Sequence, residues 1–238
     1  TKKYEYGYLN LLTKTLTPFN QKDGNIVYST EIKEYDKNGN NVTVKQNIQK
    51  DNSTTDTWGI TENEYNALGL LTKVTLSSSK DNIKNITKYF YDNDGTKTKM
   101  YTGLSSDSDS DYLTTNYTYD LEGNLTSIKD PAGRTEKFDY DEKGRLTGHT
   151  QASGKKTTYD YDKLNDLLEK SYQDAKGETS EKDVTYAYNS AGERVSMKDQ
   201  TGKSSYEYDA LGRITKVTSG SKKDVSYVYD DADNLQAI

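Results

Sequence analysis

Residues Tyr206–Val217 read YEYDALGRITKV. Two tyrosines, an Asp-x-x-Gly and an arginine stand close enough together to suggest a reactive constellation. The frame Tyr-x-Tyr-Asp-x-x-Gly-(Arg/Asn)-Leu-Thr recurs, however, and the recurrence decides how it is read. It returns clearly as YTYDLEGNLT from Tyr117 and FDYDEKGRLT from Phe138. Looser copies are YDYDKLNDLL from Tyr159, YAYNSAGERV from Tyr186 and YVYDDADNLQ from Tyr227. The N-terminal half holds more degenerate ones, YEYGYLNLLT from Tyr4, KEYDKNGNNV from Lys33, NEYNALGLLT from Asn63 and YFYDNDGTKT from Tyr89. The second aromatics of these ten copies fall at Tyr6, Tyr35, Tyr65, Tyr91, Tyr119, Tyr140, Tyr161, Tyr188, Tyr208 and Tyr229, 20 to 30 residues apart. Self-similarity at such a period marks a repeat architecture. Residues 1–238 therefore read as a single tandem array with no second domain, and the polar stretches 77–85, 103–111 and 173–183 as insertions between hairpins.

One copy predicts one β-hairpin. In YTYDLEGNLTSI the runs Tyr117–Tyr119 and Leu125–Ile128 flank Asp-Leu-Glu-Gly, a type I turn signature with Asp first and Gly fourth. Asp120 has backbone N–H groups within reach, and Gly123 accepts the left-handed conformation that closes a three-residue loop with a bulge. Period-two alternation then puts Tyr117, Tyr119 and Leu125 on one face. The same roles fall to Tyr140, Asp141, Gly144 and Leu146; to Tyr159, Tyr161 and Asp162; to Tyr186, Tyr188 and Gly192; to Tyr206, Tyr208, Asp209, Gly212 and Ile214; and to Tyr227, Tyr229 and Asp230. Thr126, Ile128, Thr215 and Val217 are expected on the opposite face. Second turns such as DPAG (130–133), QASG (151–154) and DQTG (199–202) link the hairpins. A lone hairpin is marginal in water. The fold class read from this pattern is all-β, with tandem antiparallel β-hairpins forming a twisted, curved sheet.

Composition agrees. Leu, Ile, Val and Phe are scarce enough to fall in the range associated with disorder, but 22 tyrosines stand beside three phenylalanines and the net charge is only −6. A tyrosine buries a large ring while its hydroxyl stays wet or finds a partner, so tyrosines stacked on one another are expected to replace an aliphatic core. With no cysteine, disulfides, thiolate metal sites and thiol nucleophiles are excluded. The acidic balance leaves no electrostatic footprint for nucleic acid. No apolar run approaches the ~18 residues of a membrane helix, and no signal peptide pattern opens the chain. Because TKKYEYGY begins without Met and in mid-pattern, the chain reads as a piece of a longer one.

The frame resembles the YD repeat, also called the RHS repeat, over essentially the whole chain, and the Lys-, Asn- and Asp-rich version is most similar to that of wall-associated proteins of Bacillus-type Gram-positive bacteria. The resemblance implies a β-spiral shell that, in bacteria, commonly encloses a C-terminal toxin; related repeats occur in insecticidal toxin complexes and in the teneurins. It implies a secreted or cell-wall location, and as partners the rest of the shell and that toxin. Proteins of this kind with a processed toxin end the shell in an arginine-led segment closing in Asp-Pro-x-Gly. Asp130–Gly133 matches only the last four letters and ordinary repeats follow it, so it reads as a turn inside the array. No cofactor and no catalysis are implied.

Singular chemistry is scarce. His149 is the only histidine; with no spacing to a triad or zinc site it reads as a plain surface residue. Asp107, Asp109 and Asp111 resemble the start of a calcium loop, but Tyr112 and Thr118 stand where an EF-hand needs Gly and Glu. Paired carboxylates could hydrolyse glycosides, yet Asp120, Asp141, Asp162, Asp209 and Asp230 recur at the turn position, where each has a local task. Rows of tyrosine could stack on sugar rings, which makes cell-wall glycan binding the alternative function. Arg134, Arg145, Arg194 and Arg213, set against 28 lysines, are read as stacking or pairing with neighbouring strands.

Overall fold

The computed structural model describes residues 1–22, 25–47, 57–80, 83–106, 108, 110–179, 183–220 and 224–238. The calcium reading at Asp107 and Asp109 lies outside the described residues, and Asp111 is exposed. The chain forms two compact units, residues 1–117 with 130–132 and residues 118–129 with 133–238. Short alternating runs bounded by turn residues become strands throughout. The first unit holds β1 (Lys3–Tyr6), β2 (Leu12–Lys22), β3 (Asn25–Tyr35), β4 (Asn41–Asn47), β5 (Trp58–Tyr65), β6 (Leu71–Ser78), β7 (Lys84–Tyr91), β8 (Lys97–Leu104) and most of β9 (Leu113–Tyr119). Each of these strands pairs antiparallel with its chain neighbour.

The second unit continues with β10 (Leu125–Lys129), β11 (Thr135–Tyr140), β12 (Leu146–Thr150), β13 (Lys156–Tyr161), β14 (Leu167–Gln173), β15 (Val184–Tyr188), β16 (Arg194–Asp199), β17 (Gly202–Tyr208), β18 (Ile214–Ser219) and β19 (Val225–Ser226). These too pair antiparallel in chain order, while β20 (Val228–Tyr229) and β21 (Leu235–Ala237) form a separate pair. The all-β class and the hairpin-after-hairpin order are those read from the sequence.

Three features differ from that reading. The first is a second irregularity in nine of the hairpins. Tyr208 faces Ile214 but Glu207 faces Lys216, which leaves Thr215 over. The same slip follows Tyr6, Tyr35, Tyr65, Tyr91, Tyr140, Tyr161, Tyr188 and Tyr229. Directly opposed residues share a face, so the slip brings Val217, opposite Tyr206, onto the tyrosine face instead of the far one.

The second concerns the insertions. Strands run into all three of them, and Leu104, counted among the polar residues 103–111, is buried beside Ile86 at 2% and 3% exposure. Thr75, Ile86 and Leu104 are consecutive cross-strand partners on β6, β7 and β8, and they form the most enclosed row of the first unit. Asp174–Gly177, within 173–183, closes with the same bonds as a hairpin turn.

The third is the tyrosine stacking. Equivalent tyrosines of successive hairpins are two strands apart, roughly 9–10 Å, beyond the 4.5–7 Å of ring pairs. A cation from the intervening strand fills the gap instead. Arg145 lies 4.8 Å over the Tyr161 ring, Arg194 4.8 Å over Tyr206, Arg213 4.7 Å over Tyr229 and Lys97 4.3 Å over Tyr117.

Candidate functional site

The repeated chemistry of the chain lies at the turn end of its hairpins. At Asp209 the N–H donates to the Arg213 carbonyl at 3.0 Å, and the Gly212 N–H donates back to the Asp209 carbonyl at 3.0 Å. Oδ1 accepts the N–H groups of Leu211 (2.9 Å) and Arg213 (3.0 Å). Gly212 takes φ +78°, the left-handed value that the bulge needs. Asp141 and Asp230 make the same bonds to residues two and four positions on, as does Asp162; Asp120 binds the N–H of Asn124. Gly123, Gly144 and Gly192 have φ of +88°, +75° and +80°, whereas Asn165 and Asp233 take that position at +75° and +65°. Asn66 and Asn189 replace the aspartate with an amide whose oxygen accepts the same two N–H groups.

These bonds engage the carboxylates. The Asp141 and Asp209 carboxyls are held below the ordinary 3.8, first by the backbone N–H of Arg145 and Arg213 respectively. Asp36 and Asp120 are held down first by the side-chain amides of Asn40 and Asn124, and Asp230 first by the Asn234 backbone N–H. A depressed folded pKa contributes stability that is present above the unfolded value and lost as pH falls through the folded one. Stability is therefore expected to be flat above pH 3.8 with respect to these groups and to drop below it. Urea titrations at stepped pH check this, and D141N, D209N and D230N combined should flatten the acid limb while the fold persists, because Asn66 and Asn189 already hold such turns.

In six copies the second tyrosine has a task that the sequence pattern does not show. The Tyr208 hydroxyl donates to the Arg194 carbonyl at 2.8 Å, and Arg194 is the residue facing Tyr188 in the preceding hairpin. Tyr35 donates to Leu12, Tyr65 to Asn41, Tyr91 to Leu71, Tyr188 to Leu167 and Tyr229 to Ile214, at 2.7–3.1 Å. The ladder between hairpins explains the acceptor. Between β16 and β17 it stops at Ser196 and Ser205, two residues short of Arg194, because the slip has turned the strand out of register. The orphaned carbonyl needs a donor, and the tyrosine of the next copy supplies it. Burial raises the Tyr91 and Tyr188 hydroxyls above their ordinary 10, so they remain protonated donors. Tyr117, the first tyrosine of its copy, has its hydroxyl 4.0 Å from Met100 Sδ. The first tyrosines face the outgoing strand, Tyr159 opposite Lys170, Tyr186 opposite Met197 and Tyr206 opposite Val217, and the Tyr227 N–H donates to Thr215.

Two arginines join one turn to the next. Arg145 Nε donates to Asp141 at 2.7 Å, and Nη1 donates to the Asp162 carbonyl at 2.8 Å and to Asn165 at 3.2 Å. Arg213 repeats this with Asp209, the Asp230 carbonyl and Asp233 at 2.7, 3.3 and 2.5 Å. Planar guanidinium suits this fork, and an ammonium does not. R213K should therefore release the β20–β21 hairpin, giving several-fold faster amide exchange at 230–234 with the β13–β16 amides unchanged.

His149 is more engaged than a plain surface residue. Its Nε2 lies 2.7 Å from Glu136 Oε1, and its ring stacks on Phe138 at 4.8 Å and 3°. An open groove of about 880 Å³ is lined by Asp120, Glu122, Asp139, Tyr140, Asp141 and Glu142, but Asp120 and Asp141 are bound within their own turns. Among the described residues no cluster of three His, Cys, Asp or Glu side chains has the geometry to hold a metal ion, and no helix is long and apolar enough to cross a membrane.

Comparison with known proteins extends this geometry. No curated protein matches the chain. Among solved structures, a TcdB2-TccC3-TEV structure matches at 14% identity and TM-score 0.37 over 97% of this chain and 18% of that one. The Photorhabdus luminescens Tc holotoxin pore carrying TccC3-D651A matches at 13% identity and TM-score 0.34, over 95% and 18%. A porin-like protein from Bacteroides uniformis matches at 14% and 0.27, over 94% and 93%. These superpositions are too loose to carry an argument, and the chain spans less than a fifth of the first two of those chains. The family profile described as RHS Repeat matches residues 140–179 and 188–224. Those two spans begin at Tyr140 and Tyr188, the tyrosines that open the turns described above, and over them the chain is similar to the RHS repeat.

Proposed function

We propose that the chain is a non-catalytic structural segment of a repeat shell, one continuous array that encloses and presents a C-terminal toxin in a secreted, cell-wall-associated protein of the Bacillus wall-associated type. In this reading Tyr117, Tyr119, Asp120, Gly123 and Leu125 and their equivalents define the repeat. One observation supports it above the rest. The residues that looked reactive are spent on holding the array together, since the tyrosine hydroxyl caps a carbonyl of the preceding hairpin and the turn carboxylate binds its own backbone. A wall of interlocked hairpins is suited to containment, and contact-dependent delivery supplies the need for it. The test uses the full-length parent with and without its C-terminal domain in co-culture. Loss of growth inhibition on deleting that domain supports a passive shell. Inhibition that persists without it would show that the repeat region is itself active.

A further inference from the structure

We propose that Tyr101 and Tyr112 form an oxidative cross-linking site, at which a peroxide-driven one-electron oxidant joins the two rings as dityrosine. The two residues come together because β8 carries Tyr101 outward and the chain returns to begin β9 directly after Tyr112. Their ring centroids are 3.9 Å apart with planes 21° from parallel. Phe90 closes the other side of Tyr101 at 4.6 Å, and Lys99 Nζ lies 5.7 Å from the same ring. Tyr101 is thereby held with one ring face against Tyr112, which is itself 38% exposed and open to a diffusing oxidant.

The chemistry follows from this stack. A side-chain hydrogen bond with Tyr101 raises the Tyr112 phenol above its ordinary 10, so Tyr112 keeps the hydrogen that the reaction removes. Loss of one hydrogen atom from each O–H gives two phenoxyl radicals whose unpaired spin extends to Cε. A Cε–Cε bond then forms, and each Cε hydrogen moves to its oxygen as the rings regain aromaticity. One hydrogen peroxide takes up the two hydrogen atoms and leaves as two waters. In a chain without cysteine this supplies a covalent staple across the β8–β9 connection, and a closed loop of this kind restrains the unfolded chain.

The test treats the folded protein with a haem peroxidase and stoichiometric hydrogen peroxide, then reads dityrosine fluorescence and maps the linked peptides by mass spectrometry. The expected product is a monomer with a Tyr101–Tyr112 link. Y112F and Y101F, whose retained rings keep the stack, should lower that signal by at least about tenfold with unchanged circular dichroism, because a pre-oriented pair reacts far faster than a diffusing one. Treatment in urea should scatter the links over other tyrosines. A dominant link elsewhere, a mainly intermolecular product, an unchanged yield in Y112F or the same link in urea would each overturn the proposal.

Discussion

Truncating Tyr208 to alanine is expected to cost roughly 2–4 kcal/mol, somewhat below a fully buried aromatic because the ring is only half-buried. Two losses add. The ring leaves its place opposite Ile214 and beside Val217's row, and the Arg194 carbonyl loses the hydroxyl that satisfies it at 2.8 Å. Y208F isolates the second loss and should cost about 1 kcal/mol, the usual net value of one hydrogen bond. Urea denaturation of the three proteins measures both figures. A Y208F protein as destabilised as Y208A would show that the hydroxyl alone carries the effect.

The second large effect is at Gly212. Valine there places a β-branched side chain at φ +78°, which costs roughly 2 kcal/mol. Its Cβ would also come within 2.9 Å of Glu193 Oε1, but that carboxylate is the end of a flexible chain and can move. G212N should be far milder, since Asn165 already occupies the equivalent place at φ +75°. Denaturation midpoints should therefore rank Gly first, Asn close behind and Val last. A valine variant as stable as the parent would mean that the turn can close without the left-handed residue.

How legible the fold was follows from where each feature is encoded. Asp-x-x-Gly is a local signal, so the type I turn, the left-handed glycine and the carboxylate bonds at Asp141 and Asp209 could be read residue by residue. The alternating runs on either side gave the strands. The second slip, with Thr215 left over, is not local. It depends on how two strands share hydrogen bonds, and nothing in ITKV distinguishes a bulged pairing from a regular one. Missing the slip misplaced Val217 and hid the orphaned carbonyl at Arg194, and with it the reason for a tyrosine at 208. Stacking between equivalent tyrosines failed on distance, because the repeat advances by two strands; Tyr101 and Tyr112, which do stack, are not equivalent positions. Stacking or pairing is legible for the arginines, but the fork that joins Asp141 to Asn165 depends on two turns meeting in space. The engagement of His149 is not legible because Glu136 lies on another strand, 13 residues earlier.

The central claim is that the second tyrosine of a copy locks it to the copy before, through the hydroxyl. Its most direct test is a set of four single substitutions read by urea denaturation, Y188F and Y208F against Y186F and Y206F. The account predicts that the first two each lose about 1 kcal/mol and that the second two stay close to the parent. Equal losses at all four positions, or none at Tyr188 and Tyr208, would contradict it.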